Sequence, residues 1–202
     1  MTNTNEENIS HQQRMQRKKA VIDARVNNAT IERGVVILLK GTGKGKSSSA
    51  FGTAVRALGH GMRVGIIQFI KGKRETGERL FLHNIENVEY YLMGTGFTWE
   101  TQNKQIDIAA AKAAWEQARI MLSNDNLDLI LLDEITYMFK YGYLPLNDVI
   151  ESIQQRPQQQ SVILTGRTAP AEIEQIADTV SEVRNIKHAF GAGIKGQKGI
   201  EW

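Results

Sequence analysis

Short apolar runs alternate with longer amphipathic stretches along most of this chain. Each run has the length of a buried strand, and the stretches between them have the periodicity of helices. The strand-like runs are 35–39, 64–70, 88–93, 127–134 with two acids at its end, 161–167 and 179–184. The helical stretches are 12–33, 50–58, 105–122, 145–155 and 170–177. Such alternation predicts an α/β fold with a mostly parallel sheet, helices on both faces and a ligand site along its carboxyl edge.

The first 33 residues precede this alternation. Residues 1–11 are rich in Asn, Gln, Thr and Glu, which predicts disorder, and residues 12–33 predict a helix. Two interpretations fit this helix equally well: a solvated helix on its own domain, or an arm that covers a site or reaches a second subunit. We therefore predict a polar tail and helical arm over 1–33 and one α/β domain over 34–202.

Composition narrows the possible functions. The chain has 202 residues, no cysteine and a net charge of +3. The absence of cysteine excludes disulfides, thiolate metal sites and cysteine nucleophiles, and it is compatible with the cytoplasm, where we expect the protein. No apolar run approaches the roughly 20 residues that cross a bilayer, so we expect no membrane partner. The mild charge does not call for a nucleic-acid partner either.

The first strand-like run leads into a glycine-rich turn and a helix, in the order Gly41-Thr42-Gly43-Lys44-Gly45-Lys46-Ser47-Ser48. Backbone N–H groups, the helix dipole and a lysine together bind phosphate at such a turn. Gly45-Lys46-Ser47 matches the end of a nucleotide-binding P-loop, with Ser47 placed to bind Mg²⁺. However, Lys40 occupies the usual first glycine position. We predict phosphate binding with an altered nucleotide position, and the alternative is a plain glycine-rich turn.

An acidic pair, Asp133 and Glu134, ends the fourth strand-like run. In P-loop proteins an acid at the end of such a strand holds Mg²⁺ or its water, opposite the hydroxyl of the loop. Ser47, Asp133 and Glu134 are therefore candidate metal ligands. The alternative is an acid that caps the next turn.

Three further segments carry candidate binding residues. Residues 71–74 add cations at the end of the second strand, where they contact phosphates or are solvated. Phe97 and Trp99 lie in a loop between glycines and threonines; they anchor that loop in the core or offer a flat apolar surface to a planar ligand. The glycine-rich, basic segment 188–199 closes over a ligand or is a surface loop.

Taken together, these motifs resemble the P-loop type of ATP:corrinoid adenosyltransferase, a family that serves cobalamin synthesis and salvage. The resemblance runs from about residue 13 to the C-terminus. It rests on Gly41-Thr42-Gly43-Lys44-Gly45-Lys46-Ser47, Val64-Gly65-Ile66-Ile67-Gln68-Phe69-Ile70-Lys71-Gly72, Gly94-Thr95-Gly96-Phe97-Thr98-Trp99-Glu100-Thr101-Gln102-Asn103, Leu132-Asp133-Glu134-Ile135-Thr136-Tyr137 and Lys187-His188-Ala189-Phe190. It implies a single-domain, P-loop NTPase-like (RecA-type) α/β fold.

The family transfers the 5′-deoxyadenosyl group of ATP to Co(I) of a reduced corrinoid, such as cob(I)alamin or cobyrinic acid a,c-diamide, and releases triphosphate. The resemblance implies Mg²⁺ or Mn²⁺ as cofactor and ATP in an unusual orientation over residues 41–48. It implies that Phe97 and Trp99 pack on the lower corrin face and exclude the axial ligand, which eases reduction of Co(II). It also implies a homodimer whose N-terminal helix helps cover an active site, and an electron donor such as a flavodoxin.

The match to the family favours Glu134 over Asp133 as the metal-side acid. Ser47 stands where threonine is usual and keeps the hydroxyl, whereas Thr42 stands where asparagine is usual and cannot make an amide contact. Co(I) carries no proton, so no general base is needed, and catalysis falls to positioning and charge stabilisation. The expected catalytic residues are Lys46, Phe97, Trp99 and Glu134. The alternatives are a kinase or ATPase acting at the γ-phosphate and a non-enzymatic corrinoid carrier.

Overall fold

A computed structural model describes residues 3–70, 75–94 and 103–201 of the chain, with the backbone alone over residues 3–10. The chain divides into two compact units, one that ends at Glu32 and one that begins at Arg33. No helix in the described residues is long and apolar enough to cross a membrane.

The first unit contains one long helix, α1 (Asn3–Asn28). The expectation of disorder up to residue 11 was wrong, because the helix already begins at Asn3. The polar residues at its start include no glycine or proline, and Glu and Gln have good helix propensity. The helix also ends before the predicted residue 33, at a pair of asparagines, which favour turns over helix interiors. Apolar side chains along α1, Val21 and Ile22 among them, are exposed.

The second unit is a parallel sheet of six strands in the order β3-β2-β4-β5-β1-β6. The strands are β1 (Val36–Lys40), β2 (Val64–Gln68), β3 (Val88–Leu92), β4 (Leu129–Asp133), β5 (Ser161–Gly166) and β6 (Thr179–Glu182). All five strand pairs are parallel. The predicted α/β fold with a parallel sheet is therefore confirmed, and the carboxyl ends of all strands lie along one edge.

Helices cover both faces of this sheet. They are α2 (Lys46–Gly59), α3 (Gly77–Leu82), α4 (Lys104–Leu122), α5 (Thr136–Lys140), α6 (Leu146–Gln154) and α7 (Ala171–Ile176), and a 3₁₀ turn spans Ala189–Ala192. Of these, α3, α5 and the 3₁₀ turn were not predicted. They have four to six residues, too few to show a helical period, and none directly follows a proline as α7 follows Pro170.

Each face has its own apolar cluster. The helix α2 packs with Phe51 and Ala54 on strand residues such as Ile66 and Leu131. On the opposite face, Trp115 of α4 and Val149 of α6 belong to the cluster around the alternate strand residues. Every residue of β2 and β4 is buried, which explains why the central strands are continuous apolar runs rather than alternating ones. The first polar residues of these strands appear at their carboxyl ends.

Candidate functional site

A pocket of about 400 Å³ opens at the carboxyl edge beside the loop that joins β1 to α2. Its walls are residues 43–48 of this loop and helix, residues 76–78 at the start of α3, and residues 199–201 near the end of the chain. This volume lies in the usual range for small-molecule sites. The pocket brings together six of the eight predicted nucleotide-binding residues, and Gly41 and Thr42 are not among its walls.

The start of α2 makes this pocket suitable for an anion. Gly45 caps the helix with φ of 115°, a left-handed conformation that favours glycine. The first turn contains no acidic residue, and the first N–H groups of a helix have no partner within the helix. The helix dipole adds partial positive charge at the same point, so the backbone alone favours a phosphate here.

Lys46 adds a full positive charge to this helix start. Its ammonium group donates a hydrogen bond to the carbonyl of Gly43 at 2.9 Å, so the side chain folds back across its own loop. Lys46 and Ser47 are both partly buried, and both line the pocket. The loop therefore presents an ammonium group and a hydroxyl side by side.

Gly41 and Gly43, at the start of the loop, pack against neighbouring backbone. The amide of Gly41 donates to the carbonyl of Arg167 at 3.0 Å, and the amide of Gly43 donates to the carbonyl of Val183 at 2.8 Å. A Cβ on Gly41 would lie 2.3 Å from that carbonyl oxygen of Val183, and one on Gly43 would lie 2.5 Å from the carbonyl oxygen of Arg184. These glycines let the loop lie directly on the backbone that follows β5 and β6.

Lys40, in the usual position of the first glycine, takes part in the same arrangement. Its ammonium group pairs with Glu174 of α7, and its carbonyl accepts a hydrogen bond from the amide of Val183 at 2.8 Å. The shifted glycine thus reflects packing against β6 and its continuation. The helix-side half of the loop, from Lys44 onward, faces the pocket.

The C-terminal segment also reaches the pocket. The ammonium group of Lys44 pairs with the carboxylate of Glu201 at 2.6 Å, with both side chains partly exposed. Glu78 of α3 contributes a second carboxylate to the pocket wall. A phosphate ligand would therefore meet cations on the loop side and acids on the opposite side.

The acid at the end of β4 is the centre of a buried hydrogen-bond chain. One oxygen of Asp133 accepts from the hydroxyl of Thr165 at 2.7 Å, and the other accepts from the side-chain amide of Gln68 at 2.9 Å. Gln68 and Asp133 are partners in the β2–β4 register. The carbonyl oxygen of the Gln68 side chain accepts in turn from the hydroxyl of Tyr90. The chain runs along the carboxyl edge across four strands.

Tyr90 is held as the donor at the far end of this chain. Its burial raises the pKa of its phenol far above the usual value, and the charge of Asp133 raises that pKa further. A phenol with a raised pKa keeps its proton at neutral pH, so Tyr90 donates to Gln68 there.

Glu134 lies one residue beyond β4 in a left-handed backbone conformation, with φ of 59°. Its amide donates to the hydroxyl of Thr165 at 2.8 Å. A non-glycine residue in this conformation costs about 1–3 kcal/mol and is concentrated at functional sites. Nearby, a Cβ on Gly166 would lie 1.7 Å from the hydroxyl of Thr136, so only glycine lets the turn after Glu134 lie against β5.

An aromatic group extends from this turn. The rings of Tyr137 and Tyr141 stack with centroids 5.7 Å apart, and Tyr141 contacts Tyr143 at 5.5 Å. Burial raises the pKa of Tyr137, and the charge of Glu134 adds to that effect. The charge of Glu134 thus disfavours ionisation of the Tyr137 phenol.

Several predicted site residues lie outside the described residues. Phe97, Trp99 and the cations of 71–74 are among them. Sequence reasoning missed Gln68, Thr165 and the pocket contribution of Ile200 and Glu201. Gly199, which also lines the pocket, ends the segment 188–199, for which closure over a ligand was one of two interpretations. The sequence did contain one signal for Gln68 and Thr165. Each is a polar residue near the carboxyl end of an apolar strand, as Asp133 is. Within the described parts of the chain, no cluster of three or more His, Asp or Glu side chains could hold a metal ion.

Comparison with known proteins finds two matching family models and several similar relatives. The family model for "ATP:corrinoid adenosyltransferase BtuR/CobO/CobP" matches residues 32–202, and one for "Cob(I)alamin adenosyltransferase N terminal" matches residues 1–26. A corrinoid adenosyltransferase of Escherichia coli is 53% identical over 192 residues, which cover 95% of this chain and 97% of the relative. One of Pseudomonas aeruginosa is 51% identical over 203 residues and the full length of both chains.

More distant similarities follow. A corrinoid adenosyltransferase of Sinorhizobium is 39% identical over 95% of this chain and 91% of the relative. Among solved structures, domain III of the Thermotoga maritima replication initiation protein DnaA aligns with a TM-score of 0.40 and 10% identity, over 79% of this chain and 58% of that chain. That structural similarity is too remote to bear on the site.

Proposed function

This chain belongs to the ATP:corrinoid adenosyltransferase BtuR/CobO/CobP family, whose enzymes transfer the adenosyl group of ATP to corrinoids in cobalamin metabolism. We therefore propose that the loop pocket binds the triphosphate of ATP. The observation that carries this proposal is the pocket at the start of α2, where Lys44, Lys46 and Ser47 meet the free N–H groups of the helix. We assign direct phosphate contact to residues 44–48, and the shaping of the loop to Gly41 and Gly43.

The reaction forms a bond between cobalt and the 5′ carbon of ATP and breaks the bond from that carbon to the α-phosphate oxygen. Co(I) supplies the electron pair of the new bond, and the leaving triphosphate takes the pair of the broken one. Negative charge therefore grows on the triphosphate as the bond breaks. Lys46 and the N–H groups of α2 would stabilise that charge without a proton transfer.

The residues assigned to the metal suit Mg²⁺, and Mn²⁺ shares its preference. Ser47 lines the pocket, whereas Asp133 and Glu134 are not among its walls. Ser47, Asp133 and Glu134 offer hard oxygen donors, and Mg²⁺ takes few protein ligands together with water and substrate phosphates. This small number of protein ligands is consistent with the described residues, which contain no cluster of three acidic or imidazole side chains. Ser47 and Glu134 would hold the ion, with Asp133 behind them, and the ion would screen the triphosphate charge.

Glu201 gives a test of the pocket charge. Replacing Glu201 with glutamine removes a negative charge from the pocket wall and frees Lys44. Because exposed ion pairs contribute up to about 1 kcal/mol, we expect the Kd for ATP to fall about two- to fivefold, with a smaller effect at high salt. Calorimetric titration measures this, with Glu172→Gln, a residue outside the pocket wall, as the charge-matched control. An unchanged Kd would remove Glu201 from the binding account.

We further propose that Phe97 and Trp99 contact the corrinoid, as the family resemblance implies. Replacing Trp99 with alanine should leave ATP binding unchanged and lower turnover about tenfold when a protein such as a flavodoxin supplies the electrons. The loss should disappear with chemically pre-formed Co(I), since Trp99 is assigned to easing the reduction. Trp99→Phe, which keeps a flat ring, is the control. Equal loss under both conditions would contradict this role.

The proposal also covers the oligomeric state, the cellular compartment and the electron donor. We propose a homodimer in the cytoplasm, in which the arm of residues 1–33 helps cover an active site, with a flavodoxin-like electron donor. The match of residues 1–26 to the N-terminal family model supports a dedicated role for the arm. Light scattering of the full chain and of a chain that starts after residue 33 tests the dimer and the contribution of the arm.

Anaerobic incubation with ATP, Mg²⁺ and chemically reduced cobalamin tests the proposed chemistry. We expect a light-sensitive cobalt–carbon product, seen optically, to accumulate over many turnovers per protein. Product that stops at one equivalent per protein would instead favour a corrinoid carrier. No alkylated product at all would contradict the proposed function.

A further inference from the structure

We propose that Thr165 is a positioning residue, whose single hydroxyl fixes both Asp133 and the backbone turn that presents Glu134. The inference rests on the proposed function, because it concerns how the acids assigned to the metal–nucleotide complex are held. Thr165 itself is fully buried. It lies in β5, the strand next to β4 in the sheet.

The directions of the hydrogen bonds support this role. The hydroxyl of Thr165 has one proton, and it donates that proton to Asp133 at 2.7 Å. The same oxygen accepts from the amide of Glu134 at 2.8 Å. One hydroxyl therefore connects the side chain of the first acid to the main chain of the second. A valine in its place would fill the same volume and could make neither bond.

The other oxygen of Asp133 is fixed from the opposite side. The side-chain amide N–H of Gln68 donates a hydrogen bond to that oxygen, and its side-chain carbonyl oxygen accepts one from the hydroxyl of Tyr90. Every donor in this hydrogen-bond chain points toward Asp133, whose two carboxyl oxygens both accept. Gln68 and Asp133 are both at most 2% exposed, so water does not offer an easy substitute for either bond.

The turn at Glu134 depends on the hydrogen bond from its amide to the hydroxyl of Thr165. Its left-handed backbone is unfavourable for a residue with a side chain, and the hydrogen bond from its amide to Thr165 is a specific contact that holds it there. Gly166 allows the next turn to lie against β5, since any side chain there would overlap Thr136. Without the hydroxyl of Thr165, the amide of Glu134 would lose this hydrogen bond and the turn could relax.

Loss of the Thr165 hydroxyl would therefore shift the Glu134 carboxylate relative to Ser47, the other residue assigned to the metal. Residues that orient metal ligands from behind typically change metal affinity or activity by about 10- to 100-fold when they are replaced. The two acids should therefore respond together to one substitution that leaves both of them in the sequence. Binding of ATP without metal should be insensitive, because Lys46 and the start of α2 lie on a different element.

The test compares Thr165→Val with Thr165→Ser, which restores the hydroxyl. Thr53→Val is the matched control, because the hydroxyl of Thr53 donates to the Ser49 carbonyl of its own helix. Electron paramagnetic resonance of Mn²⁺ with ATP measures binding of the metal–nucleotide complex, and calorimetry with ATP in a chelator measures metal-free binding. Thermal unfolding of each variant reports whether it is folded. Should the valine variant fail to fold, Thr165→Ala takes its place.

We expect Thr165→Val to weaken binding of the Mn²⁺–ATP complex about tenfold, with metal-free ATP binding unchanged. Thr165→Ser and Thr53→Val should both bind like the unmodified protein. Equal binding by the valine and unmodified proteins would overturn the proposal, and so would a serine variant as weak as the valine one. These readouts do not use corrinoid, so Mn²⁺–ATP binding without cobalt alkylation would contradict the proposed function and leave the role of Thr165 standing. An unmodified protein that binds no Mn²⁺–ATP complex would contradict both.

Discussion

Replacing Lys46 with alanine is expected to lower kcat/KM for adenosyl transfer by about 10²- to 10³-fold, the loss seen when one fixed donor to a developing anion is removed. Lys46 is the partly buried cation of the helix start, held across the loop by its bond to the Gly43 carbonyl. In the proposed site its charge would face the triphosphate, whose negative charge increases as the carbon–oxygen bond breaks. Steady-state kinetics with pre-formed Co(I) measure the effect without the reduction step.

The matched control for Lys46 is Lys40→Ala. Lys40 also lies in this part of the chain, but its ammonium group pairs with Glu174 and does not line the pocket. Its loss should change kcat/KM by no more than about twofold, since a partly exposed ion pair contributes little. Similar losses for both lysines would show that the loop responds to net charge alone. Unchanged turnover in Lys46→Ala would remove the loop from the active site.

Replacing Gly41 with alanine is expected to destabilise the fold by about 3 kcal/mol, through overpacking and backbone strain together. The new Cβ would lie 2.3 Å from the carbonyl oxygen of Val183, and the backbone φ of 121° is unfavourable for any side chain. The loop would have to separate from β6, which would also displace the pocket behind it. Urea unfolding measures the change in the free energy of unfolding.

Gly61→Ala separates the two causes. Gly61 also has a positive φ, of 77°, but an added Cβ there would meet no heavy atom within 4 Å. We expect a loss of only about 1 kcal/mol, from the backbone conformation alone. Equal losses at the two glycines would mean that contact with Val183 does not constrain the loop.

The sheet could be predicted from the sequence because its central strands are buried on both faces. Continuous apolar runs such as 64–70 and 127–132 have few other structures available at that length. The start of α2 was predictable for a similar reason, since glycine, lysine and serine follow a strand directly in the P-loop order. In both cases the information lies in neighbouring residues.

The remaining features depend on contacts between distant parts of the chain. Gly41 lies against Val183, Thr165 bonds to both Asp133 and Glu134, and Lys44 pairs with Glu201. Sequence patterns of helices and strands contain no information about such pairs. The error at the start of α1 has a different cause, because polar composition predicts the absence of a core but does not prevent a helix from forming.

Phosphorus NMR of the nucleotide products tests the central claim most directly. The claim is that the loop pocket holds the triphosphate as a leaving group, so that ATP is cut at its 5′ carbon. In an anaerobic reaction with Mg²⁺ and pre-formed Co(I), we expect triphosphate to appear in a 1:1 ratio with the alkylated corrinoid, and no ADP. ADP and phosphate without alkylated corrinoid would contradict the account and identify chemistry at the γ-phosphate.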